Sequence, residues 1–311
     1  MDSEQASFEQ VPEGHKSGFV AVVGIPNAGK STLINAFMQQ KIAIVTPRPQ
    51  TTRTRQLGIL TTPDYQIIFI DTPGIMKEPR HKLDSFMLNT ALNTLQDSDV
   101  ILWVMDGSTM PGPADQLIAE RLANLQDKKP IVLAINKNDL VPPDRVMPVT
   151  EAYQALVPEA AWLFISAANG LGTEALLQTI VDALPEGPRF YPPDQITDAY
   201  LRDIAAEMIR EQLLIKLREE IPHGVAVQVD EFKERENGVT YISANIFVER
   251  ENHKKIVIGK RGSMLKSIGR DARREVEQMT GAPIYLDLWV KTAPDWREEE
   301  SSLRRFGYTE Q

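Results

Sequence analysis

The stretch Gly24-Ile25-Pro26-Asn27-Ala28-Gly29-Lys30-Ser31-Thr32 decides how the first half of the chain folds. It fits G-x-x-x-x-G-K-[ST], follows an apolar run at 19–24 and opens a helical pattern at 30–37. A strand that feeds a glycine-rich turn and then a helix N-terminus is a phosphate cradle. Glycines let the backbone come close, and N–H groups at the helix end supply partial positive charge. In such a cradle Lys30 reaches the β- and γ-phosphates of a nucleotide, and the Ser31 hydroxyl is a ligand for Mg²⁺.

Outward from that turn, strands are expected at 19–24, 57–61, 66–71, 100–106, 131–136 and 162–166. Helical patterns between them include 30–37, 113–125 and 173–184. Several strands are unbroken apolar runs, as in a sheet covered on both faces. Only the short turn 62–64 separates 57–61 from 66–71, so that pair is an antiparallel hairpin. The expectation is an α/β P-loop domain with a mixed, mostly parallel six-stranded sheet.

Three further motifs sit at strand ends. Asn136-Lys137-Asn138-Asp139 follows the strand 131–136. An Asp there accepts hydrogen bonds from N1–H and the 2-amino group of guanine, and adenine would leave it unpaired. Ser166-Ala167-Ala168 follows the last strand, where a loop meets the guanine O6. Asp71-Thr72-Pro73-Gly74 ends the strand 66–71, with Asp71 holding Mg²⁺ through water and the Gly74 N–H sensing a γ-phosphate. The polar segment 46–55 contains Thr51-Thr52-Arg53. Thr52 is the expected Mg²⁺ ligand, and Thr51 is the alternative. Lys30, Thr52 and Gly74 form the expected catalytic set, but Ile75 stands where many GTPases carry a water-orienting Gln. The Asn27 amide oxygen offers a replacement device, a site for a monovalent cation such as K⁺ against the phosphates.

The pattern breaks at the proline-dense stretch 185–193, expected to be a semi-rigid linker. Beyond it, helical spacing covers 198–220, and alternating runs cover 226–232 and 240–248 around Asn237-Gly238, a hairpin signal. A segment at 254–258, a helix at 263–279 and a strand at 284–290 complete the order α-β-β-α-α-β. The loop Gly259-Lys260-Arg261-Gly262 lies between the last two helical segments. A G-x-x-G loop in that place clamps a nucleic-acid backbone in KH domains. Lys254, Lys255, Lys266, Arg270, Arg273 and Arg274 extend the basic patch, so that 252–274 holds eight Lys/Arg against one acid, Asp271. Such a loop binds single-stranded RNA, whose base edges are open. The tail 292–311 is expected to pack a helix on this unit through Trp296, Leu303 and Phe306.

Composition limits the remaining choices. The 311 residues suggest two domains. With no cysteine, disulfides, thiol catalysis and cysteine-held metals are excluded, and the four histidines are scattered. The net charge of −9 argues against nucleic acid only globally, since local charge governs a surface. No apolar run is long enough to span a bilayer, and residues 1–17 lack a secretory pattern and are expected to be a flexible tail, giving a cytoplasmic expectation.

Taken together, the phosphate loop with Pro26-Asn27, Thr51-Thr52-Arg53, Asp71 to Ile75, Asn136 to Asp139, Ser166-Ala167, the Tyr191-Pro192-Pro193 linker and Gly259 to Gly262 resemble the Era family of bacterial GTPases over about 18–308. The resemblance implies a GTPase domain at 18–184, a linker at 185–197, a type II KH domain at 198–291 and a C-terminal helix or tail at 292–311. It also implies GTP hydrolysis that is slow without help, binding near the 3′ end of 16S ribosomal RNA, maturation of the small ribosomal subunit, a monomer, and peripheral contact with the inner membrane. Hydrolysis dependent on K⁺ follows from the same resemblance at Asn27. Two other readings stay open at this point: a nucleotide-independent RNA-binding protein, and a tRNA-modifying GTPase.

Overall fold

The computed structural model describes residues 11–125 and 128–309. Among the described residues, β1 (Lys16–Val23), α1 (Lys30–Met38), β2 (Gln56–Thr61), β3 (Tyr65–Asp71), α2 (Lys82–Asp97), β4 (Val100–Asp106), α3 (Pro113–Ala123), β5 (Ile131–Asn136), α4 (Pro143–Gln154), β6 (Ala161–Phe164) and α5 (Thr173–Ala183) come first. There follow α6 (Leu201–Lys216), β7 (Ala226–Glu234), β8 (Thr240–Val248), α7 (Glu251–Ile258), α8 (Ser263–Thr280), β9 (Ile284–Thr292) and α9 (Glu300–Arg305). The described residues divide into two compact units, one made of 11–43, 52–79 and 87–198, the other of 44–51, 80–86 and 199–309.

The first unit carries a six-stranded sheet in the order β2-β3-β1-β4-β5-β6. Only the β2–β3 pair is antiparallel. Successive residues of β1 and β4 go to opposite cores, which is why both read as unbroken apolar runs. Val20, Val22, Leu102 and Val104 meet Leu33 and Phe37 of α1 and Leu176 and Ile180 of α5. Ala21, Val23, Ile101 and Trp103 meet Leu95 of α2, Ile118 of α3 and Tyr153 of α4. The expected tail lies outside the described residues up to residue 10. By contrast, His15 is buried with Nδ1–H donating to Gly187 O at 2.8 Å, and β1 begins at Lys16. The proline-dense stretch is a strap on this unit. The fully buried Gln66 takes the N–H groups of Phe190 and Tyr191 on Oε1 and donates to Tyr191 O, and Ile59 N–H donates to Ile196 O.

In the second unit β7, β8 and β9 form a sheet in that order, with β7–β8 antiparallel and β8–β9 parallel. The element order is α-β-β-α-α-β, as the sequence predicts. Ile209 and Leu213 of α6, Val257 of α7 and Ala272 and Val276 of α8 cover one face of that sheet. Trp296 is fully buried and its Nε1–H donates to Gly224 O at 3.0 Å, with Phe306 and Tyr308 against its ring. Residues 44–51 lie along α6: Val45 N–H donates to Glu211 Oε1 at 2.9 Å, Arg48 Nε donates to Leu214 O at 2.7 Å, and Arg210 donates to Thr51 O. No helix among the described residues is long and apolar enough to cross a membrane.

Candidate nucleotide and nucleic-acid sites

At the C-terminal end of β1 the chain turns through Gly24 to Ala28 and enters α1 at Lys30. Gly29 caps that helix at φ 101°, and a Cβ there would stand 2.2 Å from the Asn136 amide nitrogen, so both conformation and space demand glycine. Asn27 also sits in the left-handed region, at φ 62°. Lys30 is buried, and its Nζ donates to Gly24 O at 3.3 Å and Ile25 O at 3.1 Å. Burial pulls the Lys30 ammonium down to about 8, against the raising effect of Asp71.

Across from Lys30, three oxygen-bearing side chains converge. Ser31 Oγ donates to Asp71 Oδ2 at 2.6 Å, Thr52 Oγ1 donates to the same oxygen at 3.1 Å, and the two hydroxyls are 3.0 Å apart. The other Asp71 oxygen is buried without a partner. Burial pushes the Asp71 carboxyl up, and Lys30, Ser31 and Thr52 pull the other way. Thr51 does not reach this cluster: its hydroxyl donates to Arg48 O at 2.8 Å and lies 2.7 Å from Thr46 Oγ1. Next to Asp71, the Thr72 hydroxyl donates to Val22 O at 2.8 Å, and past Pro73 a Cβ on Gly74 would meet Pro26 N at 2.6 Å. Ile75 points away from this region into the core shared with Trp103 and Ile118, and its N–H donates to Gly24 O at 3.1 Å.

On the far side of the phosphate loop, Asn136 is a bridge. Its Nδ2 donates to Ala28 O at 2.8 Å, and its Oδ1 accepts from Ala167 N–H at 2.9 Å. One amide N–H and one oxygen lone pair are spent on protein, so Asn136 ties the two loops together while its second Nδ2–H remains able to donate. Lys137 Nζ pairs with Asp106 Oδ2 at 2.6 Å, Ser166 Oγ donates to Asp139 Oδ1 at 2.6 Å, and Asp139 and Ala168 are exposed. The Ser166–Asp139 bond aims one carboxylate oxygen and leaves the other outward.

In the second unit, Gly259 at φ 72° ends α7, and residues 260–262 form a single tight turn into α8. Lys260 and Arg261 are exposed there. A groove of about 480 Å³ runs between α8 and the edge strand β9, lined by Gly262, Leu265, Lys266, Arg270, Tyr285 and Leu288. Lys266 and Arg270 thus join the glycine loop at one surface. Lys254 and Lys255 stand on α7 and do not line it. Arg270 Nε is tied to Asp271 Oδ1 at 2.9 Å. Sequence reasoning missed Tyr285. Its signal was the alternation that sets Tyr285, Asp287 and Trp289 on one side of a strand, and only the sheet order puts that strand at the edge.

Residues 19–137 match the family described as 50S ribosome-binding GTPase, and residues 220–297 match the KH domain family. The chain is 49% identical over 297 residues to GTPase Era of Carboxydothermus hydrogenoformans, covering 95% of this chain and 99% of the relative. It is 46% identical over 299 residues to GTPase Era of Halothermothrix orenii, covering 94% and 99%. Among solved structures it is similar to Era in complex with MgGDPNP and nucleotides 1506–1542 of 16S ribosomal RNA, with a TM-score of 0.91 and 41% identity over 95% of this chain and all of that one. A point variant of Era from Aquifex aeolicus bound to GDP and AlF4⁻ matches with a TM-score of 0.90 and 40% identity over the same shares.

Proposed function

The chain belongs to the Era family of GTPases, and from that premise we propose a GTP-hydrolysing switch that binds the single-stranded 3′ region of 16S ribosomal RNA and assists maturation of the small ribosomal subunit. The observation that carries the switch is the convergence of Ser31, Thr52 and Asp71 beside Lys30, with one buried Asp71 oxygen unpartnered. Hard oxygen donors around an unpaired carboxylate suit Mg²⁺, so the residues present fit that ion. Ser31 and Thr52 would hold it directly and Asp71 through water. Bound there, Mg²⁺ neutralises charge on the phosphates. A tRNA-modifying activity is set aside by the family.

The chain's own residues do the rest. The loop Gly24 to Thr32 cradles the phosphates through its backbone N–H groups, Pro26 having none, with Lys30 supplying the cation. Asp139, aimed by Ser166, accepts from guanine, with Lys137, Ala167 and Ala168 shaping the base site. Thr52 and Gly74 sense the γ-phosphate. Ile75 faces the core and orients no water, so turnover is slow, and Asn27 would hold K⁺, which would supply the missing positive charge. Gly259 to Gly262, with Lys266 and Arg270, grips RNA phosphates. Residues 44–51 cluster with the RNA-binding unit while Thr52, next in sequence, lies at Asp71. Chain continuity therefore supports a dependence of RNA affinity on the nucleotide.

The test is binding of an RNA copying nucleotides 1506–1542 with a GTP analogue or GDP, in wild type and Gly262→Asp, alongside phosphate release in K⁺ or Na⁺. No atom lies within 4 Å of a Cβ placed on Gly262, so the added carboxylate repels phosphate without a clash. Tight binding with the analogue, weakened by GDP and by Gly262→Asp, supports the switch. Equal affinity in both nucleotide states refutes it, and turnover equal to buffer with RNA and K⁺ present makes this a nucleotide-independent RNA binder. A monomeric state and contact with the inner membrane rest on the family, and light scattering and fractionation test them.

A further inference from the structure

The outer face of the second unit's sheet carries a stack that ends beside the groove. Ile242, Ala244 and Ile246 of β8 point into the helix-covered core, so Tyr241 points the other way. Tyr285 lies directly opposite Tyr241 in register. The two rings stack at 5.8 Å with planes 18° apart, and the Arg235 guanidinium stands 4.3 Å from the Tyr241 centroid. The stack runs cation, ring, ring, from Arg235 just past the end of β7 through β8 to β9, and β9 is the sheet edge. Asp287 Oδ2 accepts from the Tyr241 hydroxyl at 3.5 Å and from Trp289 Nε1 at 3.0 Å, which steadies the middle ring.

Tyr285 is 61% exposed and is the one aromatic among the residues that line the groove with Gly262, Lys266 and Arg270. A flat ring, backed on one side by a second ring and a cation, presents its other face beside a cradle for phosphates. Lys266, Arg270 and Arg273 line the same groove, and the exposed Lys260 and Arg261 directly precede its Gly262, so a basic peptide is repelled there and an anionic strand is drawn in. Every nucleobase has a π-face, and stacking on an aromatic side chain tolerates sequence.

We propose that one unpaired base of an RNA strand held at Gly259 to Gly262 stacks on the open face of Tyr285, which makes this ring a base-binding subsite. The proposal rests on the reading of the groove as an RNA site. Stacking supplies affinity beyond the phosphate grip and favours a purine over a pyrimidine through its larger ring area.

The experiment uses the full chain and an RNA copying nucleotides 1506–1542, with a single abasic residue moved along its unpaired positions. Affinities are measured by fluorescence anisotropy for wild type, Tyr285→Leu, Tyr285→Phe and Gly262→Asp. One abasic position is expected to weaken wild type by about 5- to 100-fold and to leave Tyr285→Leu unaffected, with Tyr285→Phe behaving as wild type. Gly262→Asp weakens every RNA alike. If Tyr285→Leu binds all the RNAs as wild type does, the ring serves something other than RNA, such as a protein partner, and the proposal is overturned. Uniform weakening by Tyr285→Leu, with the abasic profile kept, overturns it too, since that marks a structural role. Failure of wild type to bind the intact RNA refutes the RNA reading itself, an outcome distinct from both.

Discussion

Replacing Asn136 with Ala separates a bridge from a ligand. The side chain is buried, and it satisfies two backbone groups from loops far apart in sequence, Ala28 C=O and Ala167 N–H. A buried donor or acceptor left unpaired costs about 1–3 kcal/mol, so two of them cost about 2–6 kcal/mol, with a small cavity added. That is a large part of the roughly 5–15 kcal/mol that holds a domain together, yet it leaves the protein folded. The assay is denaturant unfolding of the nucleotide-free chain, with hydrogen exchange on peptides spanning 24–32 and 166–172 to assign the loss. GDP affinity falls as well, because both loops lose their mutual support. Asn136→Asp is expected to be at least as damaging, since a carboxylate then faces the Ala28 carbonyl. If Asn136→Ala weakens GDP binding while nucleotide-free stability and loop exchange stay unchanged, the bridge carries no measurable stability and the reasoning fails.

Ile75→Gln, which would restore the usual water-orienting residue, is expected to lower stability by about 2 kcal/mol or more and to leave phosphate release no faster. The fully buried side chain puts an amide into an apolar core rather than at the phosphates; faster turnover would show that this residue swings out. Trp296→Ala is expected to cost about 3–5 kcal/mol in the second unit's unfolding, because the ring is fully buried and its N–H holds Gly224 O. A loss under 1 kcal/mol would mean that the C-terminal segment is not part of that core. Arg270 and Lys216 beside Asp271 hold its carboxyl well below the usual carboxylate range. A depressed folded pKa stabilises above the unfolded value of 3.8 and fades as pH falls from there toward the folded value. Asp271→Asn should therefore lower the denaturation midpoint at pH 7 by a small amount, about 1 kcal/mol or less, with the gap to wild type closing below pH 4. A gap that widens in acid would contradict the sign.

The nucleotide site was legible in the sequence because its instructions are local. Gly29 must be glycine for its backbone angle, Lys30 and Ser31 follow on the first turn of α1, and the apolar runs of β1 and β4 announce burial on both faces. The order α-β-β-α-α-β around Gly259 to Gly262 was legible for the same reason, since period and turn residues act over a few positions. What only the tertiary structure decided are meetings across the chain. Thr51 and Thr52 are equivalent in sequence, and the fold brings Thr52 to Asp71 while Thr51 turns back to Arg48. Arg210 and Glu211 look like solvated positions on α6, yet residues 44–51 lie over them and both are buried. The motif presents Asn136 as a nucleotide contact, and only the geometry shows that it also ties Ala28 to Ala167. The Arg235–Tyr241–Tyr285 stack exists only because register sets residues from separate strands side by side. A helix turn or a strand alternation is fixed by neighbours a few bonds away, whereas a hydrogen bond between distant residues depends on where the packed core carries them.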